Sequence, residues 1–225
     1  KPPTVSGVFL SAQWGAHSTA EAGPEIEPEM RREVRLETSA IEIPLIGDYH
    51  PSNLAIALGM VGATHPARRE AAWLSLSEAR GVPGRMELVE LPNLLDESER
   101  RGRRRSAFVD YAHTPDAITR ATSALRAVHD APISVIIGCG GDRDRGKRPA
   151  MVRAALALAD EVWLTSDNPR HEPPEQIIAD ALELPDLSAL QSALSSGEVK
   201  LDGRPVRVVI DRRACIAQAW RELDR

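Results

Sequence analysis

Two short stretches concentrate the groups that could do chemistry in this chain. The first runs from Gly138 to Pro149 (GCGGDRDRGKRP) and the second from Ser166 to Arg170 (SDNPR). Arg143, Arg145, Lys147, Arg148 and Arg170 supply guanidinium forks and one ammonium, groups suited to carboxylates and phosphates. Gly141 to Lys147 matches the G-x-x-x-x-G-K portion of a phosphate loop. The next position decides against that reading, because Arg148 stands where Ser or Thr must hold magnesium. Asp142 and Asp144 would also direct negative charge into a nest meant for phosphate. Gly138-Cys139-Gly140 opens like a dinucleotide fingerprint, but Arg143 occupies its sixth position in place of Gly or Ala. Cys139 lies among glycines with no histidine nearby, which reads as a small buried residue and not as a nucleophile. His113 reads as part of a turn. No residue is assigned a catalytic role, and no metal ligands are assigned.

The elements that must position these loops follow from the apolar pattern. Residues 107–110, 133–138, 161–166 and 206–210 read as strands, the second a near-continuous apolar run of the kind buried on both faces of a parallel sheet. Thr114-Pro115 marks a helix start whose inner face carries Ile118, Ala121, Leu125 and Val128. Pro149 and Pro174 mark two further helices, expected through Ala159 and Leu184, and Asp211 caps a last one. Four βα units in succession predict an α/β fold, a Rossmann-like, doubly wound, mostly parallel sheet. Its carboxyl rim should carry Asp110, the 139–148 loop, Asp167 and Asp211.

Upstream, strand-like pieces at 5–10 and 40–46 flank an acidic stretch from Glu21 to Glu37. Helices are expected from Ser52-Asn53 onward and over 68–79, and a strand over 86–90. Gly81-Val82-Pro83-Gly84 is the candidate linker. The organisation expected is therefore 1–80, the edge of a domain whose main part lies upstream, and 81–225, a Rossmann-like domain; the resemblance given below makes the first the tail of an α/β ATPase domain. Trp73, Trp163 and Trp220 fall in apolar runs and read as core.

With 225 residues, 42% of them hydrophobic, the chain can build a real core. A net charge of −5 gives no case for nucleic-acid binding, and the basic run 100–105 reads as a solvated loop. Two distant cysteines indicate neither a disulfide framework nor a zinc site and fit a reducing cytoplasm. No apolar window reaches the ~18 residues of a membrane span. The chain begins Lys-Pro-Pro and reads as a piece of a longer protein.

Four stretches, GVPGRME (81–87), VDYAHTPDAI (109–118), GCGGDRDRGKRP (138–149) and SDNPR (166–170), resemble in order and spacing the C-terminal half of the Mur ligases of peptidoglycan synthesis. Asp-Asn-Pro-Arg is similar to the mark of the meso-diaminopimelate-adding branch. The resemblance implies an ATP-dependent amide ligase acting on UDP-N-acetylmuramoyl-L-alanyl-D-glutamate, meso-diaminopimelate and ATP through an acyl phosphate. It further implies that Arg143, Asp167, Asn168, Pro169 and Arg170 form the diaminopimelate site. Asn53, Arg85 and Asp110 would contact ATP, and the Mg²⁺ ligands would lie upstream. Where the family usually has Phe-Asn-x-x-Asn, this chain has Tyr49-His50-Pro51-Ser52-Asn53. The alternative is a ligase-derived binding module without catalysis.

Overall fold

The computed structural model describes residues 8–14, 32–36, 39–43, 45–47, 50–89, 104–128, 131–196 and 199–223. Most of the acidic stretch and the 100–103 part of the basic run lie outside the described residues.

The central sheet is built around β6 (Ile133–Cys139) and β7 (Glu161–Ser166), which pair in parallel with Val135 opposite Val162 and Cys139 opposite Ser166. Alternate residues of these strands serve opposite faces, as the two-residue period of a strand requires. Val135, Ile137, Cys139, Val162 and Leu164 belong to the main core, whereas Ile136 and Trp163 join Cys215 and Ala219 in a second cluster. Both faces are therefore covered, which is why the strands are apolar at nearly every position.

On the first face lie α3 (Pro115–Arg126), α4 (Lys147–Leu158) and α5 (Pro174–Ala181), contributing Ile118, Leu125, Val152 and Ile178 to the core. On the second lies α7 (Arg212–Glu222), contributing Cys215 and Ala219. Two of these helices start on side-chain caps: Thr114 Oγ1 accepts from the Ala117 amide at 3.2 Å, and Asp211 Oδ1 accepts from the Ala214 amide at 2.7 Å. Trp163 is fully buried. Trp73 and Trp220 are only partly so.

Strand order is β10-β7-β6-β1-β5-β4, with β10 (Arg207–Val208) parallel to β7. Of the strand expected over 206–210 only Arg207–Val208 is strand, although hydrogen bonding to β7 continues past it, the Val209 amide donating to Leu164 O and the Ser166 amide to Ile210 O. β1 (Val8–Trp14) enters between β5 (Arg104–Asp110) and β6, antiparallel to both, and β4 (Glu87–Leu88) adds an antiparallel edge. Strands β5, β6, β7 and β10 thus keep the common direction expected of successive βα units, in a sheet that is mixed.

Other departures are local. Arg32–Leu36 and Ser39–Ile43, here β2 and β3, form a hairpin; β3 overlaps the strand-like piece expected at 40–46, and β2 lies within the acidic stretch, where the sequence reading placed no element. The helix expected over 68–79 survives only as α2 (Arg69–Leu74) between two 3₁₀ turns. Ser75 and Ser77 hydroxyls donate to the Ala72 and Leu74 carbonyls there, a local competition that weakens helix propagation. Helix α1 (His50–Thr64) starts earlier than Ser52-Asn53 suggests, and α4 starts before Pro149. Helix α6 (Leu187–Ser196) and the hairpin of β8 (Lys200–Leu201) with β9 (Arg204–Pro205) were not legible in the sequence. A serine-rich helix and strands of two residues give little periodic signal.

Candidate substrate-binding site

The Cys139–Ser166 register sets the site, because it makes the 140–146 and 167–173 loops leave the carboxyl rim side by side. Glycine then lets them touch. A Cβ on Gly141 would overlap the Pro169 carbonyl, and one on Gly138 would lie 2.8 Å from both Thr165 O and Asp167 Cβ. The freed space is used by hydrogen bonds: the Gly141 amide donates to Asn168 O at 2.9 Å, and Arg170 Nη1 donates to Gly141 O at 2.5 Å. Gly141 and Asp142 spend their amides on Asn168 O and on Glu172 Oε1 (2.6 Å), so the glycines serve loop-to-loop contact and not a phosphate nest.

Arg143, Asn168 and Arg170 converge on Gly140. A Cβ built there would lie 3.0 Å from Arg170 Nη1, 3.6 Å from Arg143 Cγ and 3.8 Å from Asn168 O. Arg143 is exposed and has no hydrogen-bond or ion-pair partner among the described residues. Arg170 sits at φ +50, a left-handed conformation held by the zipped loops, and its guanidinium keeps donors beyond the one given to Gly141. Asp167 lies 3.7 Å from Arg212 Nη1, which makes it an anchor to α7. Pro169 offers its carbonyl to the Glu172 amide at 2.9 Å.

The other cations of the first loop serve differently from the sequence expectation. Arg148 is buried, with Nη1 2.6 Å from Asp180 Oδ2 and Nη2 2.6 Å from Glu172 Oε1. Arg145 reaches Glu172 Oε2 at 3.0 Å, and Lys147 lies 4.0 Å from Asp144. These three are therefore engaged by the protein's own carboxylates. Glu172 is the group that sequence reasoning missed; its only signal is an acid just beyond Arg170, facing an arginine run. The Arg148 hydrogen bond, with help from the Asp142 amide, holds its carboxyl down to about 2. Burial pushes the Cys139 thiol up to about 12, so it stays protonated and inert.

A second cluster lies near the start of the 81–225 segment. Asp110 Oδ2 accepts from the Met86 amide at 2.9 Å, and the Arg85 guanidinium stacks over the Tyr111 ring at 5.1 Å. Burial lowers the His50 imidazole, while the Ile46 backbone and the Asp110 charge pull the other way. The turn before Asn53 therefore lies in the field of Asp110. The Asn53 side chain is exposed and makes no hydrogen bond among the described residues. His113 Nδ1 lies 3.0 Å from Tyr111 O, in keeping with its reading as a turn residue. No group of three His, Cys, Asp or Glu side chains converges among the described residues. No helix among them is long and apolar enough to cross a membrane.

A two-face-covered α/β sheet whose carboxyl rim carries glycine-zipped cationic loops defines a Rossmann-like domain. Residues 84–225 match the family described as Mur ligase, glutamate ligase domain, and the chain belongs to that family. Among its relatives is the UDP-N-acetylmuramoyl-L-alanyl-D-glutamate–2,6-diaminopimelate ligase of Chlorobaculum tepidum, 47% identical over 146 residues, covering 63% of this chain and 26% of that protein. The ligase of the same description from Alkalilimnicola ehrlichii is 42% identical over 165 residues, covering 70% of this chain and 30% of that protein. The chain thus spans between about a quarter and a third of these relatives' length. The solved Mycobacterium tuberculosis folylpolyglutamate synthase is 19% identical with a TM-score of 0.54, covering 86% of this chain and 40% of that one, a likeness of fold.

Proposed function

We propose that this chain is the C-terminal part of an ATP-dependent ligase that joins meso-diaminopimelate to UDP-N-acetylmuramoyl-L-alanyl-D-glutamate. The observation that carries this reading is the meeting of Arg143, Asn168 and Arg170 at Gly140, which the Arg170 guanidinium, the Arg143 stem and the Asn168 backbone carbonyl all approach. Such a group suits a carboxylate held from two sides. The names of the relatives support the same substrate.

In this reading residues 1–80 are the end of a central nucleotide-binding domain and 81–225 the C-terminal domain. In support, Leu45, Leu58 and Leu76 form their own small apolar cluster apart from the main core. Arg85 and Asp110, with Asn53 nearby in sequence to His50, would meet ATP at the junction. Bound ATP supplies the phosphoryl group that activates the acceptor carboxylate. The work of this chain's rim is to hold diaminopimelate so that its amine meets that carboxyl. Its Mg²⁺ would be held by residues other than the described ones. The setting is the cytoplasm, where the nucleotide-linked substrate and ATP occur together.

Diaminopimelate differs from lysine by a second carboxylate, which a guanidinium fork can pair with and which lysine does not offer. In the full-length ligase carrying this segment, Arg170→Ala should raise KM for diaminopimelate about 10- to 150-fold, the worth of one charge-assisted contact, with KM for ATP little changed. Equal losses with diaminopimelate and lysine would assign Arg170 to the fold or to the shared amino-acid end.

A further inference from the structure

Arg148 is, after Trp163, the largest fully buried side chain among the described residues. Taking a guanidinium out of water is costly unless its donors are met. Here Nη1 donates to Glu172 Oε2 at 3.0 Å and to Asp180 Oδ2 at 2.6 Å. Nη2 donates to Glu172 Oε1 at 2.6 Å and to Gly140 O at 3.4 Å. Nε is buried without a partner, so the arrangement keeps an unmet donor that an apolar core would lack.

What the arrangement supplies is geometry. Glu172 Oε1 also accepts from the Asp142 amide at 2.6 Å, so one carboxylate oxygen joins the tip of the first loop, the second loop and the base of α4. Asp180 adds α5, and Gln176 Nε2 steadies that carboxylate at 2.8 Å. Arg143 follows Asp142 directly, and Arg170 lies two residues before Glu172. Two guanidiniums, Arg145 and Arg148, face two carboxylates, Glu172 and Asp180. The cluster is therefore balanced and presents no net charge of its own to a ligand.

We propose that Arg148 is a positioning residue for the anionic end of the amino-acid substrate: by clamping Glu172 and Asp180 it sets the separation of Arg143 and Arg170, and so the preference for diaminopimelate over lysine. The proposal rests on the reading of the rim given above. A guanidinium fork is needed because a lysine ammonium is a point charge that cannot hold both oxygens of Glu172 in one plane.

The test is Arg148→Lys in the full-length ligase carrying this segment, with melting, amide exchange at Gly141 and Asp142, and KM for ATP, diaminopimelate and lysine. The variant should melt cooperatively, exchange faster at both amides, and show KM for diaminopimelate raised about 10- to 100-fold, the range for a small misplacement, with KM for ATP unchanged. The diaminopimelate-to-lysine preference should shrink with it. Should Arg148→Lys fail to fold, Glu172→Gln, which keeps shape and an acceptor oxygen, takes its place with the same readouts. Unchanged exchange and preference in a folded variant, or KM for ATP and diaminopimelate rising together, would overturn the proposal. Failure of both variants to fold would make Arg148 a structural clamp and overturn it as well. A wild-type enzyme with no preference for diaminopimelate would instead sink the reading of the rim, and the proposal with it.

Discussion

At the residue scale, the glycines of the first loop and the acid of the second carry the sharpest consequences. Gly141→Ala places a methyl against the Pro169 carbonyl, and backbone cannot swing away as a flexible side chain can. The expected cost is at least about 2 kcal/mol, at the upper end for overpacking. Gly59→Ala is the control, since nothing lies within 4 Å of its Cβ position on α1, and it should gain about 0.5–1 kcal/mol. Urea melts of the two variants beside wild type decide the point, and equal effects would show that the loops are not in contact. Glu172 yields a pH dependence. Its folded carboxyl is held at about 2 against an ordinary 4.5, so its stabilisation is present above about pH 4.5 and is lost as pH falls toward 2. Melting temperature followed from pH 6 to 2 should fall more gently in Glu172→Gln than in wild type; parallel curves would mean the ion pair contributes nothing in that window.

At the scale of elements, helix starts and strand register position the rim. The Thr114 cap begins α3 directly after Asp110, and the Asp211 cap begins α7 directly after the β10 segment. Thr114→Ala and Asp211→Ala should each cost about 1 kcal/mol, with Ser at either position restoring most of it. Chemical denaturation measures this, and a Thr114→Ala loss that Ser cannot recover would point to the threonine methyl in place of its oxygen. Both caps were legible because capping is local chemistry. The division of 68–79 into a short helix with 3₁₀ turns was not, since Ser75 and Ser77 read equally well as exposed helical positions. The short β8–β9 hairpin likewise offers too few residues for a period to show.

For the whole molecule, the apolar clusters bear on how residues 1–80 relate to the rest. Ile46 and Met86 share the main core, whereas Leu45, Leu58 and Leu76 form another cluster. Ile56, Met60, Leu74 and Val82 remain more than half exposed on that side. Strand β1 bridges β5 and β6, yet both of those run in one direction and could pair directly, as parallel neighbours do in successive βα units. A chain of residues 81–225 should therefore melt cooperatively within a few degrees of the 225-residue chain. Loss of a cooperative transition on truncation would make β1 an integral strand and move the domain boundary upstream.

The amino-acid sequence by itself determined the βα succession, the capped helices and the identity of both rim loops, because periodicity, caps and Asp-Asn-Pro-Arg are written in neighbouring residues. It also excluded a phosphate loop at Gly141–Lys147, through Arg148. Tertiary structure alone decided which cations stay free. Arg148 and Arg145 look equivalent to Arg143 in sequence, and only the approach of Glu172 and Asp180, dozens of residues away, consumes them. The same holds for the glycines, whose purpose depends on a second loop that the Cys139–Ser166 register brings alongside. Charge pairing and backbone contact act through space, and chain order does not encode those distances until the sheet has closed.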